Sequence, residues 1–97
     1  MDSLVRNLTT LGLTEYEARV YAALVGIGEG SARQVHEASA VPRPRVYDIA
    51  EGLAARGFIT VRRGNPYVYI PAEPAVVIRH LKSAADAAAT AAVQDLE

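Results

Sequence analysis

At Gly57 the apolar pattern of this chain changes from a helical to a strand-like period. Before that glycine the apolar residues recur every three or four positions; after it, Phe58-Ile59-Thr60-Val61-Arg62 and Tyr67-Val68-Tyr69-Ile70 are β-rich runs. Arg63-Gly64-Asn65-Pro66 separates the two runs, which reads as a hairpin, and Pro71 and Pro74 close it. With 97 residues there is room for one small core and no second. The expected fold is therefore mainly α with a β-hairpin.

The helical part carries its own punctuation. Asp2 or Ser3 caps a first helix with Leu4, Leu8 and Leu11 on one face, ending at Gly12. Thr14-Glu15-Tyr16-Glu17 is a capping box that opens a second helix through Val20, Tyr21, Leu24 and Val25 to Gly26. Gly26, Gly28 and Gly30 break the helix and leave a short strand or loop. Ser31-Ala32-Arg33-Gln34 is a second capping box, opening a helix of about two turns with Val35 and Ala38 inward. Pro42-Arg43-Pro44-Arg45 follows, and proline is cheap in a first helical turn because the amides there have no intrahelical acceptor to lose. That helix runs through Val46, Ile49, Ala50 and Leu53 to Arg56, with Gly57 as a left-handed cap; Gly52 within it reads as the site of a close helix crossing.

Two short helices joined by a three-residue turn, the second fronted by arginines, form the pattern of a helix-turn-helix, and the hairpin makes it winged. Residues 1–72 are expected to form this winged helix-turn-helix, with the recognition helix at about 42–56 and the wing at 62–66. Arg43 and Arg45 at the start of the recognition helix suit guanine edges or phosphates, and the helix dipole adds a positive field at that end. Pro44 offers an apolar surface to a thymine methyl. Tyr47 lies one turn beyond Arg43, its hydroxyl within reach of a phosphate and its ring at the edge of the core. Arg62 and Arg63, beside Asn65 at the hairpin tip, suit a minor groove or backbone. Ser31, Arg33 and Gln34 at the preceding helix start complete the DNA-binding set. Asp48 opposes this field; a pair with Arg45 is favoured over a cytosine contact.

The charge is distributed to match. The formal net charge is −1, but residues 1–30, 31–63 and 64–97 carry −2, +3 and −2, so the one basic segment holds the helix-turn-helix and half of the hairpin. Nine of the ten basic residues are arginine, a bias that suits phosphate and base contacts and that a GC-rich genome also produces.

Catalysis finds little support. There is no cysteine, His36 and His80 stand apart from each other and from any carboxylate pair at ligand spacing, and Ser31 and Ser39 lack a Gly-x-Ser-x-Gly context. The glycines lack the Gly-Lys-Ser/Thr of a phosphate loop. No cofactor or metal is expected, nor a membrane partner, since no apolar run approaches the roughly 18 residues a span needs; the expected location is the cytoplasm.

Residues 73–97 form an Ala-rich helix. Val77, Leu81, Ala84, Ala88 and Ala91 follow a heptad seam, which is read as a homodimer interface in preference to a helix stable through alanine alone. The closing Leu96-Glu97 matches a dipeptide that commonly precedes a purification tag, so an excised domain and a short natural regulator both stay open.

Three separated motifs then resemble one family in the right order. Leu11-Gly12-Leu13-Thr14-Glu15-Tyr16-Glu17-Ala18 with Val20-Tyr21-Ala22-Ala23-Leu24 resembles the opening of the N-terminal domain of TrmB-like archaeal transcriptional regulators. Val41-Pro42-Arg43-Pro44-Arg45-Val46-Tyr47 is similar to the start of that family's recognition helix, and Leu53-Ala54-Ala55-Arg56-Gly57-Phe58-Ile59 to its end and entry into the wing. The similarity covers about residues 4–72, with Pro44 where the family often has Ser or Thr. It implies a dimeric winged helix-turn-helix on promoter double-stranded DNA, with Arg43, Arg45 and Tyr47 in the recognition positions. The sugar-binding effector domain of many members has no counterpart in these residues, so no effector ligand is carried over. The competing expectation is a winged helix used for protein contacts or assembly, which has no need of arginines on both recognition helix and wing.

Overall fold

A computed structural model describes residues 2–97. Five helices and one antiparallel hairpin follow in the order α1 (Asp2–Thr10), α2 (Glu15–Ile27), α3 (Ala32–Ser39), α4 (Arg43–Ala55), β1 (Ile59–Arg62), β2 (Val68–Pro71) and α5 (Pro74–Asp95). Both capping boxes form: the Thr14 hydroxyl accepts from the Glu17 amide at 3.2 Å and Glu17 Oε1 accepts from the Thr14 amide at 2.8 Å, with Ser31 and Gln34 repeating the exchange at 3.3 and 2.9 Å. α2 runs two residues past Gly26 to its cap, Gly28 at φ +90°, because glycine within a helix costs only about 1 kcal/mol and Gly28 takes the turn.

The turn between α3 and α4 is built from side chains as much as backbone. Ala40 takes a left-handed φ of 58°, and the Ser39 hydroxyl accepts from the Val41 amide at 3.1 Å. Arg19, reaching from α2, donates from Nε and Nη2 to the Ser39 carbonyl at 3.0 and 2.7 Å. His36 Nδ1 lies 2.7 Å from the Val41 carbonyl, which can only accept, so that nitrogen carries the proton. Ser39 is consequently buried, and Ala38, expected inward, is exposed. Pro42 is the residue before α4 and Pro44 its second residue, where neither removes a helical hydrogen bond.

The hairpin pairs Ile59 with Pro71, Thr60 with Ile70, Val61 with Tyr69 and Arg62 with Val68. Gly30 adds a third strand position, exchanging hydrogen bonds of 3.0 and 2.8 Å with Tyr69. A Cβ at Gly30 would stand 2.7 Å from Ile27 Cδ1, the movable end of an exposed side chain, and 3.2 Å from Gln34 Cβ, so glycine eases the packing of the start of α3 beside the sheet. Gly52 serves no such purpose: nothing lies within 4 Å of a Cβ there, and the expected close crossing is absent.

One core unites the elements, from Leu8, Tyr21, Leu24, Val35, Val41, Val46 and Leu53 to Phe58, Tyr69, Val77 and Leu81. Val77 and Leu81, expected on the dimer seam, are 0% and 2% exposed within their own chain. The root of α5 thus belongs to the winged helix itself. From Lys82 onward every residue of α5 is exposed, which gives the molecule its 53 × 26 × 24 Å extents.

Tyr21 ties this root to the wing. Its hydroxyl donates to the Ala72 carbonyl at 2.6 Å, and burial, with a smaller contribution from Glu73, pushes the phenol up to about 12 from 10.0. The fold therefore keeps the proton where the unfolded chain gives it up, and stability falls as pH rises from 10 to 12. Tyr21→Phe is expected to cost about 1–2 kcal/mol near neutrality and to flatten that alkaline decline. Thermal unfolding across pH 8–12 measures both effects.

Candidate nucleic-acid interface

The N-termini of α3 and α4 and the hairpin tip face one another across an open groove of about 970 Å³. Ser31, Arg33 and Gln34 come from the start of α3, Arg43 and Tyr47 from α4, and Asn65 from the tip, so six of the expected DNA-binding residues share one surface. The two helix starts and the hairpin tip converge because Val35 of α3, Val46 of α4 and Tyr69 of β2 belong to one core.

The six are not equivalent. Ser31 and Gln34 are engaged with each other's backbone amides, which fixes the start of α3 toward the groove. Arg33 Nε lies 3.0 Å from Glu37 Oε1. Arg43 has neither an ion pair nor a side-chain hydrogen bond among the described residues, and it sits at the first position of α4, where the dipole field is positive. Tyr47 is 43% exposed, with its ring on the groove wall and not at the edge of the core as expected.

The other four expected residues lie outside the groove lining. Pro44 is exposed on the adjoining face of α4. The Arg45 guanidinium lies 5.4 Å from the centroid of the Tyr16 ring, which Arg19 approaches at 5.6 Å, so Arg45 turns to α2. The Arg45–Asp48 pair favoured from sequence does not form, because the ring holds Arg45 and leaves Asp48 exposed. Arg62 pairs with Glu29 at 2.8 Å. Arg63 stands over the Tyr67 ring at 5.3 Å and reaches Glu51 at 4.0 Å. Tyr67, with Glu51 adding to the effect, raises the Arg63 pKa above its already high ordinary value.

Glu37, Glu51 and Tyr67 are among the lining residues outside the expected set. The four-residue spacing of Arg33 and Glu37 is a readable helical pair signal. Glu51 meets Arg63 only because the hairpin folds back over α4. Tyr67 reads as strand, yet it ends the tip, 39% exposed.

The groove thus offers one unpaired arginine on a helix start, two exposed tyrosines and the hairpin tip, beside the paired Glu37 and Glu51. It suits an extended polyanion whose edges carry acceptors, and it gathers no group of three or more His, Asp or Glu for a metal among the described residues. Among the described residues no helix is long and apolar enough to cross a membrane.

Comparison with known proteins places this surface in a family. HTH-type sugar sensing transcriptional regulator TrmBL1 of Pyrococcus furiosus is 32% identical over 84% of this chain and 24% of its own length. YrhO, an uncharacterized protein of Bacillus subtilis, is 34% identical over 84% of this chain and 30% of its own, so relatives extend beyond the archaea. The chain spans about a quarter to a third of the length of these curated relatives. Among solved structures, that of TrmBL2, described as an archaeal chromatin protein showing a novel mode of DNA binding, superposes with a TM-score of 0.85 at 30% identity, covering 97% of this chain and 38% of that one. The winged helix fold follows from that likeness and from the element order. The family model described as sugar-specific transcriptional regulator TrmB matches residues 8–75, well over half of the chain, and the chain belongs to that family.

Proposed function

We propose that this chain is a sequence-specific DNA-binding module of a transcriptional regulator, working as a homodimer on promoter duplex in the cytoplasm and without enzymatic activity. The single observation that carries the reading is the unpaired Arg43 at the start of α4, held in one groove with Tyr47 and the hairpin tip. α4 enters the major groove by its N-terminal end, Arg43 reads a base edge, and the start of α3 and the wing rest on the backbone. Membership of a regulator family supports the same assignment.

Pairing of two copies uses the exposed outer part of α5. Ala84, Ala88 and Ala91 continue the spacing of Val77 and Leu81 beyond the point where the core releases the helix, and small side chains allow a second helix close approach. A two-fold axis there presents two α4 helices to successive major grooves about 34 Å apart.

The test is duplex binding as a function of salt. The logarithm of affinity is expected to fall linearly with the logarithm of salt, with a slope of about −0.9 for each phosphate contacted. Absence of any duplex binding at low salt would sink the proposal.

A further inference from the structure

The groove contains its own anions. Arg33 is paired with Glu37 within α3, and Arg63 with Glu51 across from α4, at 3.0 and 4.0 Å. Both glutamates line the groove with Arg43. All four paired side chains are about half exposed or more, and pairs of that kind contribute little to folding. Their effect falls instead on a highly charged ligand. A guanidinium must leave its carboxylate to grip a phosphate, or bring a negative charge to it.

We propose that Glu37 and Glu51 are specificity determinants that act as electrostatic brakes: by holding Arg33 and Arg63 they lower sequence-independent affinity for duplex and leave base reading to the unpaired Arg43. This rests on the DNA-binding reading above. Sequence-independent affinity comes almost entirely from phosphate neutralisation, whereas discrimination comes from base edges. A brake on the first and not the second widens the gap between chosen and random sites. Glu37 acts within one helix, and Glu51 couples recognition helix to wing.

Two probes test this: a random-sequence duplex, and the tightest duplex that the unaltered chain recovers from a randomised pool. E37Q and E51Q are each expected to tighten binding to the random duplex about threefold, and together about tenfold, with a salt slope steeper by about 1 per substitution. The selected duplex gains less, so the ratio between the two narrows. D95N, the same charge change near the far end of α5, is expected to shift random-duplex affinity by less than about 1.5-fold because the charge lies beyond the screening length. In an R33Q background the effect of E37Q shrinks to that same level. Unchanged thermal midpoints for the exposed Gln variants keep folding out of the comparison.

Random-duplex affinity of the double variant within twofold of the unaltered chain overturns the brake. So does D95N matching E37Q, or E37Q acting undiminished without Arg33, which would make the effect plain repulsion. If the unaltered chain binds neither duplex at low salt, the DNA-binding reading falls and the brake with it; if it binds both and the variants do nothing, only the brake falls.

Discussion

Leu81→Asp is expected to unfold this chain, not merely to separate two copies of it. Leu81 is 2% exposed and packs in the same core as Val77. Removing a buried leucine costs about 2–5 kcal/mol, and an unpaired buried carboxylate adds several more or forces the helix out of the core. A small domain holds only about 5–15 kcal/mol in total. The melting midpoint is expected to fall by more than about 20 °C, or the cooperative transition to vanish. Ala88→Glu is the informative contrast. It lies on the fully exposed part of α5, and glutamate is a good helix former, so the midpoint of the winged core stays while sedimentation moves from dimer to monomer. Monomeric behaviour of the unaltered chain would refute pairing through α5, and an unaltered midpoint for Leu81→Asp would refute the core assignment.

Arg43→Ala is expected to change which sequences are bound more than how strongly DNA is held. A bidentate arginine–guanine contact discriminates against the wrong base by about 1–3 kcal/mol, so preference at one position per half-site drops about fivefold to 150-fold. Arg63→Ala, at the tip, is expected to weaken all duplexes alike and to reduce the salt slope by about 1 or less, since Glu51 already holds part of that charge. Selection from a random pool with each variant reads the two outcomes separately. Identical base preferences for Arg43→Ala and the unaltered chain would remove Arg43 from the reading role.

Much of this was legible because the signals were local. Both capping boxes, the prolines at the start of α4 and the period change at Gly57 involve residues within a few positions, and each forms as its spacing implies. The groove was legible in part: six expected residues line it because helix starts and hairpin tips are the same features that a winged helix turns to one side. Failures came where the deciding partner was remote. Arg45 had a carboxylate three residues away and went to Tyr16 on another helix. The heptad from Val77 to Ala91 is a true periodicity, but periodicity does not say which body covers it, and the core of the same chain covers the first two positions. Glu51 and Arg63 are twelve residues apart, and only the folded hairpin brings them together.

The division of α5 into a rooted and a free part makes the helix a lever. Val77 and Leu81 clamp one end into the body that carries α4, and the Tyr21 hydroxyl pins the chain just before it. The fourteen residues from Lys82 to Asp95 extend about 20 Å beyond that clamp at 1.5 Å per residue. A 10° tilt at the clamp moves the far end by about 3–4 Å over that length, and a displacement imposed at the far end turns the clamped body by the same angle. In a two-fold pair, whatever sets the crossing of the two levers also sets the distance between the two α4 helices. Since successive major grooves come only every 34 Å or so, a small change in that crossing is enough to bring both helices into register with one face of the duplex or take them out of it.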